Sequence, residues 1–329
     1  MTTTPTEPGS GAALRLAVLD DWEGAADDFV DWAADVPGAE VTVFTDHLSG
    51  TGELIARLAP FDAVMLMRER TPVQAPLLNA LPKLRLIVTT GMRNRALDLT
   101  AAADAGVLVC GTQGLQWAAP ELTWSLILAL ARNIPAADAS MHAGRWEPTV
   151  GMDLHGSVLG LVGLGRLGEQ VAAVARAFGM NLVAWSPHLT AERAGACGAE
   201  LVGKHELFAT ADVVSVHMIL ADSTRGLVGA AEIAAMKKTA VLVNTSRGPL
   251  VDTGALVSAL AEGRIAGAGI DVYDEEPLPA DHPLRSAPRT ILTPHLGYVT
   301  AGTFASFYRE AAEDVRAFLA GHPVRVISP

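Results

Sequence analysis

The sequence predicts an α/β protein of two doubly wound parallel-sheet domains. Short apolar runs of strand length alternate with helical stretches in two blocks, one before about Gly114 and one from there to about Gly297. At 329 residues, 50% apolar and 18% charged, the chain is long enough to bury two cores. A helix between successive strands returns the chain to the edge it started from, so this alternation implies parallel βαβ units.

In the first block, 16–19 reads as a strand, followed by a helix near 22–34 and a second strand over 40–44. Further buried strands are expected at 63–67, 86–89 and 107–109, with helices near 53–58, 76–80 and 99–105. A longer amphipathic stretch, 121–132, ends before Asn133-Ile134-Pro135 and leads from one domain to the other. The second block opens with a strand over 158–162, a helix over 169–178 and a strand over 182–185. Strands at 213–217, 240–243, 267–272 and 290–292 follow, and a final helix, 301–319, closes the chain with 323–326 behind it. That helix is expected to fold back on the first domain. The expected layout is an arm over 1–12, a first domain over 13–114 plus 298–329, and a second over 115–297, with a cleft between the two domains.

Between the strand at 158–162 and its helix lies Gly163-Leu164-Gly165-Arg166-Leu167-Gly168. This spacing seats a dinucleotide pyrophosphate on a helix N-terminus: the first glycine permits the tight turn, the second lets bare backbone approach the phosphates, and the third lets helix and strand pack closely. Unpaired N–H groups and the helix dipole then hold the negative charge. An acid at the end of the next strand usually binds the ribose 2′-hydroxyl, but that position is Ser186. Two readings stand. Ser186, His188, Thr190 and Arg193 hold a 2′-phosphate, or Ser186-Pro187 ends the strand and the ribose is held by serine or water. The cofactor is therefore NAD or NADP.

Composition excludes several functions. No run approaches the roughly 18 uninterrupted apolar residues that a membrane helix needs, despite a mean hydropathy of +0.30. The net charge of −12 argues against a nucleic-acid surface. The start is rich in Thr, Pro, Gly and Ser, without the basic cluster and apolar core of a signal peptide. Only Cys110 and Cys197 occur, which suits a reducing compartment and a cytoplasmic protein. The nine histidines show no metal-ligand spacing, so no metal is expected.

Hydride transfer needs a cation to polarise a carbonyl and orient a carboxylate, and a group near neutral pKa to exchange the proton. Arg247, Glu276 and His295 each follow an apolar strand, where strand C-termini face the ligand crevice. The planar fork of Arg247 suits a 2-oxo carboxylate. A carboxylate bonded to an imidazole fixes its tautomer and raises its pKa, making it a proton donor in reduction. Singly, these residues read as a surface arginine, a loop acid and a turn histidine; their shared placement favours the chemistry. His217, ending its own strand, either touches the cofactor or is structural.

The chain strongly resembles the D-isomer-specific 2-hydroxyacid dehydrogenases, from about Leu14 to Val326. The resemblance rests on four ordered blocks: 159–168 around the glycine turn, 242–248 around Arg247, 269–278 around Asp271 and Glu276, and Thr293-Pro294-His295-Leu296-Gly297. It implies a flavodoxin-like substrate domain and a Rossmann cofactor domain, with Arg247 binding substrate and His295 the acid/base supported by Glu276. It further implies Asp271 beside the nicotinamide, Arg166 and Leu167 at the pyrophosphate, Ser186 at the ribose, Thr245 at the cofactor wall and Gly297 among the cofactor-binding residues. The substrate expected is a small anionic 2-oxo or 2-hydroxy acid, and the assembly a homodimer through the cofactor domain. Tyr298 stands where the family usually has a second glycine, and is expected to narrow the pocket or bond the substrate. The loop Thr90-Gly91-Met92-Arg93-Asn94-Arg95 corresponds to the one that cradles a substrate carboxylate, so Gly91 and Met92 are substrate candidates. Arg93 and Arg95, with Arg68 and Arg70, either bind a second anionic group or face solvent. Rival readings are a dehydrogenase of 3-phosphoglycerate, phosphite or formate, and an NAD(H)-sensing protein like the corepressors that share this fold.

Overall fold

The computed structural model describes residues 13–146 and 150–329, so the expected arm over 1–12 lies outside the described residues. The chain divides into two compact units, one reaching to Leu115 and resuming at Thr300–Pro329, the other Gln116–Val299.

The first unit begins with β1 (Leu14–Val18), α1 (Ala26–Phe29), α2 (Trp32–Asp35) and β2 (Ala39–Val43). It continues with α3 (Thr51–Leu58), β3 (Ala63–Leu66), α4 (Ala75–Asn79), β4 (Leu86–Thr89), α5 (Leu99–Asp104) and β5 (Leu108–Gly111). The strands run parallel in the order β2-β1-β3-β4-β5, the flavodoxin-like order. Every residue of β3 and β4 is buried. A parallel strand covered on both faces has no polar side, which is why these segments read as unbroken apolar runs.

One helix expected near 22–34 is two short ones. The Asp21 carboxylate accepts the N–H groups of Ala25 and Ala26, and the Asp31 side chain accepts that of Ala34 to start α2 after an extended Val30. Aspartates that satisfy local backbone donors compete with a continuous helix.

The second unit comprises α6 (Ala118–Ala131), α7 (Ile134–His142), β6 (Val158–Val162), α8 (Arg166–Ala177), β7 (Asn181–Trp185), α9 (Ala191–Ala196) and β8 (Glu200–Leu201). Then come α10 (Lys204–Thr210), β9 (Val213–Val216), α11 (Ala230–Ala235), β10 (Val241–Asn244), α12 (Thr253–Ala261), β11 (Gly267–Ile270) and β12 (Thr290–Leu292). Its parallel sheet has the order β12-β11-β10-β9-β6-β7-β8. Counted from β6 this is the dinucleotide-binding order, with its switch point between β6 and β9. Successive strand residues feed opposite cores: Leu161, Val213 and Val243 pack on one face, and Val162, Val214 and Leu242 on the other.

Two departures from the sequence reading in this unit have local causes. Helix α8 begins at Arg166 rather than 169, because the glycine turn itself opens the helix. Helix α7 was not expected; Asn133 adopts a left-handed conformation (φ 53°) that ends α6, and Pro135 then stands in the first turn of α7.

The last helix, α13 (Ala301–Leu319), packs in the first unit. Its buried Tyr308 donates its hydroxyl to Asp21 Oδ1 at 2.8 Å and lies among Phe29, Trp32 and Phe304. Behind it the tail lies along β5: Gly111 N–H donates to the Arg325 carbonyl and Ile327 N–H to the Val109 carbonyl. Tyr308→Phe removes one bond to a buried carboxylate but keeps the ring, and is expected to lower unfolding free energy by about 1–2 kcal/mol in urea titration. An unchanged midpoint would show that the aromatic packing alone holds α13.

Candidate active site

At the switch point the three glycines meet three different constraints. Gly163 lies at φ +99° with the His217 carbonyl oxygen 2.7 Å from where a β-carbon would stand. Gly168 is closed off by the carbonyl of Gly163. Gly165 faces open space, with nothing within 4 Å of a β-carbon there. The fold therefore requires the first and third glycines, whereas the bare backbone at Gly165 leaves room for a guest. Arg166, Leu167 and Gly168 form the first turn of a 12-residue helix, where N–H groups have no intrahelical acceptor. These features fit a pyrophosphate.

His217 supports this turn from β9. Its N–H donates to the Val162 carbonyl at 2.8 Å, and its Nε2 lies 2.8 Å from Ser215 Oγ. Burial pushes its imidazole down to about 4, so it is neutral at pH 7. Gly163 N–H donates to the Trp185 carbonyl at 2.8 Å, which brings the half-buried Ser186 beside the turn. Thr245, at the end of β10, is buried with its hydroxyl 2.7 Å from that of Thr123 on α6.

Asn244 shapes the Arg247 segment: its amide donates to the Arg247 carbonyl at 2.9 Å and its oxygen accepts Ser246 N–H. Arg247 Nη1 donates to the Ser246 carbonyl at 2.7 Å. A β-carbon on Gly248 would collide with the Tyr273-Asp274 peptide, so this turn packs directly on the loop after β11.

That loop and the end of β12 meet at Asp271. The buried Asp271 carboxylate accepts the Thr293 hydroxyl at 2.6 Å and the N–H groups of Leu296 and Gly297 at 2.7 and 3.0 Å. Burial pushes this carboxyl up, and the Thr293 hydroxyl and the two N–H groups oppose the rise. The Asp271 carbonyl accepts His295 N–H, holding His295 at φ +55°. The imidazole Nδ1 lies 2.6 Å from Glu276 Oε2, while Glu276 Oε1 accepts Tyr273 N–H at 2.9 Å. With Nδ1 occupied by a carboxylate, an imidazole can exchange a proton at Nε2. Tyr298 stands edge-on to His295, ring centres 5.4 Å apart.

In the first unit, Arg68 lies at φ +52° after β3; its backbone N–H donates to Thr90 Oγ1 and its Nη1 to the Thr90 carbonyl at 3.0 Å. The guanidinium crosses Gly91 so closely that a β-carbon would collide with it. Gly91 N–H donates to Thr112 Oγ1, and Asn94 ties the loop to the Arg68 carbonyl and the Thr89 hydroxyl. Met92 and Arg93 are exposed on this fixed loop. Arg70, left open in the sequence between a second anion and solvent, is engaged within the first unit: its guanidinium pairs with Glu23 at 2.7 Å, donates to the Asp20 carbonyl and covers the Trp22 ring at 4.0 Å. Sequence reasoning missed Asn244, Thr293 and Ser215, whose only local signal is a small polar residue in or just after a strand. Among the described residues no cluster of His, Cys, Asp and Glu fits a metal ion, and no helix is long and apolar enough to cross a membrane.

The strand order and the glycine turn at its switch point define a dinucleotide-binding α/β protein. The chain belongs to the D-isomer specific 2-hydroxyacid dehydrogenase family: the family's NAD binding domain matches residues 124–297. It is 39% identical to a glyoxylate reductase of Aeropyrum pernix over 279 residues, 82% of this chain and 83% of that protein. It is 38% identical to a D-3-phosphoglycerate dehydrogenase of Methanocaldococcus jannaschii over 82% of this chain and 52% of the relative. The chain thus spans about half the length of that relative. A crystal structure of phosphoglycerate oxidoreductase from Vibrio cholerae superposes with a TM-score of 0.89 at 38% identity, covering 94% of this chain and 99% of that one.

His217 gives this site a pH signature. Its folded-state value of about 4 lies below the ordinary 6.5, so the folded protein binds fewer protons than the unfolded chain between those values. The stability it contributes is present above pH 6.5 and is lost as pH falls through 4. Urea midpoints followed across that window are expected to fall with acidification, and His217→Asn to flatten the slope; equal slopes would place the acid sensitivity elsewhere.

Proposed function

We propose that this protein interconverts a small 2-oxo acid and its D-2-hydroxy acid with NAD(P)(H). The observation that carries the reading is the 2.6 Å contact of Glu276 with His295 in the same unit as the glycine turn and Arg247. When bound, the nicotinamide supplies or accepts the hydride. Arg247 orients the substrate carboxylate and stabilises the oxygen that gains charge during reduction. His295 carries a proton on each ring nitrogen in the reductive direction: Nδ1–H donates to Glu276, and Nε2 delivers its proton to the substrate oxygen. Glu276 stabilises the resulting charge distribution and fixes the ring.

Gly163, Gly165, Arg166, Leu167 and Gly168 hold the pyrophosphate, Ser186 the adenosine ribose, and His217, Thr245, Asp271 and Gly297 line the remainder of the cofactor site. Within the first unit Arg68, Gly91, Met92 and Arg93 are assigned to substrate binding; within the second, Tyr298 beside His295 is a separate substrate candidate. The catalytic domain is assigned to the first unit and the cofactor domain to the second, Gln116–Val299. The exposed loop over Met92 and Arg93, braced by Asn94, supports a carboxylate cradle. Names of relatives make glyoxylate and 3-phosphohydroxypyruvate the first substrates to try. A homodimer through the second unit is the proposed assembly. The unpaired Cys110 and Cys197 support a reducing compartment, the cytoplasm.

The test is the loss of reduced-nicotinamide absorbance with NADH and with NADPH, each against glyoxylate, hydroxypyruvate, pyruvate, phenylpyruvate, oxaloacetate and 3-phosphohydroxypyruvate. Turnover on any of them is the expected result; silence on all, with cofactor bound, would defeat the reductase reading. Arg247→Ala and His295→Ala are each expected to lower kcat/KM by about 10²–10⁴-fold. Dinucleotide affinity, read by fluorescence titration, should stay largely intact, and its loss in both variants would defeat these assignments.

A further inference from the structure

We propose that the second unit carries a subsite for the 2′-phosphate of NADP(H), formed by Ser186 and Arg193, and that the protein takes NADPH in preference to NADH. This rests on the dinucleotide reading of the glycine turn. Selection against a 2′-phosphate ordinarily comes from a carboxylate at the end of the second strand, which bonds the ribose hydroxyls and repels the extra charge. Here β7 ends at Trp185, whose carbonyl is bonded to Gly163, so the next side chain is placed beside the turn. That side chain is Ser186, neutral and half-buried, and no acid follows until Glu192. Its hydroxyl has no hydrogen-bond partner among the described residues, and it can donate to a phosphate oxygen.

The segment that follows has a defined shape. Leu189 is buried beneath it, Leu189 N–H donates to the Ser186 carbonyl at 3.2 Å, and the Thr190 hydroxyl accepts Arg193 N–H at 3.3 Å. This turn directs the start of α9 so that Arg193 reaches back to the glycine turn, where Nη2 donates to the Leu164 carbonyl at 3.4 Å. The guanidinium thus meets the glycine turn at Leu164, next to Gly163, which is hydrogen-bonded to the residue before Ser186. A planar fork with five N–H donors suits bidentate recognition of a phosphate.

The competing anion is Glu169, on the first turn of α8. Its Oε1 lies 3.9 Å from Arg193 Nη2, with side chains 47% and 59% exposed. An ion pair this long and this wet is weak. A phosphate monoester carries nearly two negative charges and offers three acceptor oxygens, so it outcompetes a single screened carboxylate for the guanidinium.

The experiment is direct binding, which needs no turnover: fluorescence or calorimetric titration with NADPH, NADH, adenosine 2′,5′-bisphosphate and 5′-AMP. The unaltered protein is expected to bind NADPH and the 2′,5′-bisphosphate at least about tenfold more tightly than their partners, the scale of one charge-assisted hydrogen bond. Ser186→Asp is expected to reverse the preference, and Arg193→Ala to cost NADPH more than NADH. Tighter binding of NADH by the unaltered protein would overturn the proposal while leaving the reductase reading intact. So would variants that weaken both dinucleotides equally. Binding of neither dinucleotide would remove both readings.

Discussion

The Asp271 carboxylate receives three donors at the end of β11, and its own backbone carbonyl receives a fourth, the N–H of His295. A charge that deep is costly unless donors replace the water it has lost. All the donors come from the segment after β12, so stabilising the charge also fixes the path of residues 293–297. The left-handed conformation of His295 follows from that path, and with it the direction of the imidazole toward Glu276. The proposed proton-transfer group is thus positioned by a neighbouring strand end rather than by its own side-chain contacts alone.

The same logic of strand ends runs through the second unit. The β6, β9, β10, β11 and β12 segments are parallel neighbours, so their C-terminal residues line one edge of the sheet. Gly163, His217, Thr245 and Asp271 each follow a strand end there. The buried strands supply rigidity; the residues just past them are free of the ladder and can turn toward a ligand. In the first unit the corresponding edge carries Arg68 and the Thr90 to Asn94 loop, locked by side-chain bonds to the ends of β3, β4 and β5.

Much of this was legible because the relevant signals are local. A glycine spacing, an apolar run and a residue just past it are all read within one segment, so the two sheets and the positions of Arg247, Glu276 and His295 after β10, β11 and β12 emerged from sequence. What escaped depends on distant partners. The break of the first expected helix follows from Asp21 turning its carboxylate to Ala25 and Ala26. The engagement of Arg70 comes from Glu23, 47 residues away. Helix α7 escaped because Asn133 and Pro135 look like a terminus and are in fact a junction between two helices.

The return of α13 to the first unit has a consequence for synthesis. The first unit is assembled from both ends of the described chain: Tyr308 bonds to Asp21, and Ile327 to Val109. The second unit is one continuous segment. A chain leaving the ribosome therefore has every residue of the later-starting unit before the first can receive its last helix and its edge segment. Until then the aromatic cluster around Phe29 and Trp32 lacks its central ring, and the half begun first is the half finished last.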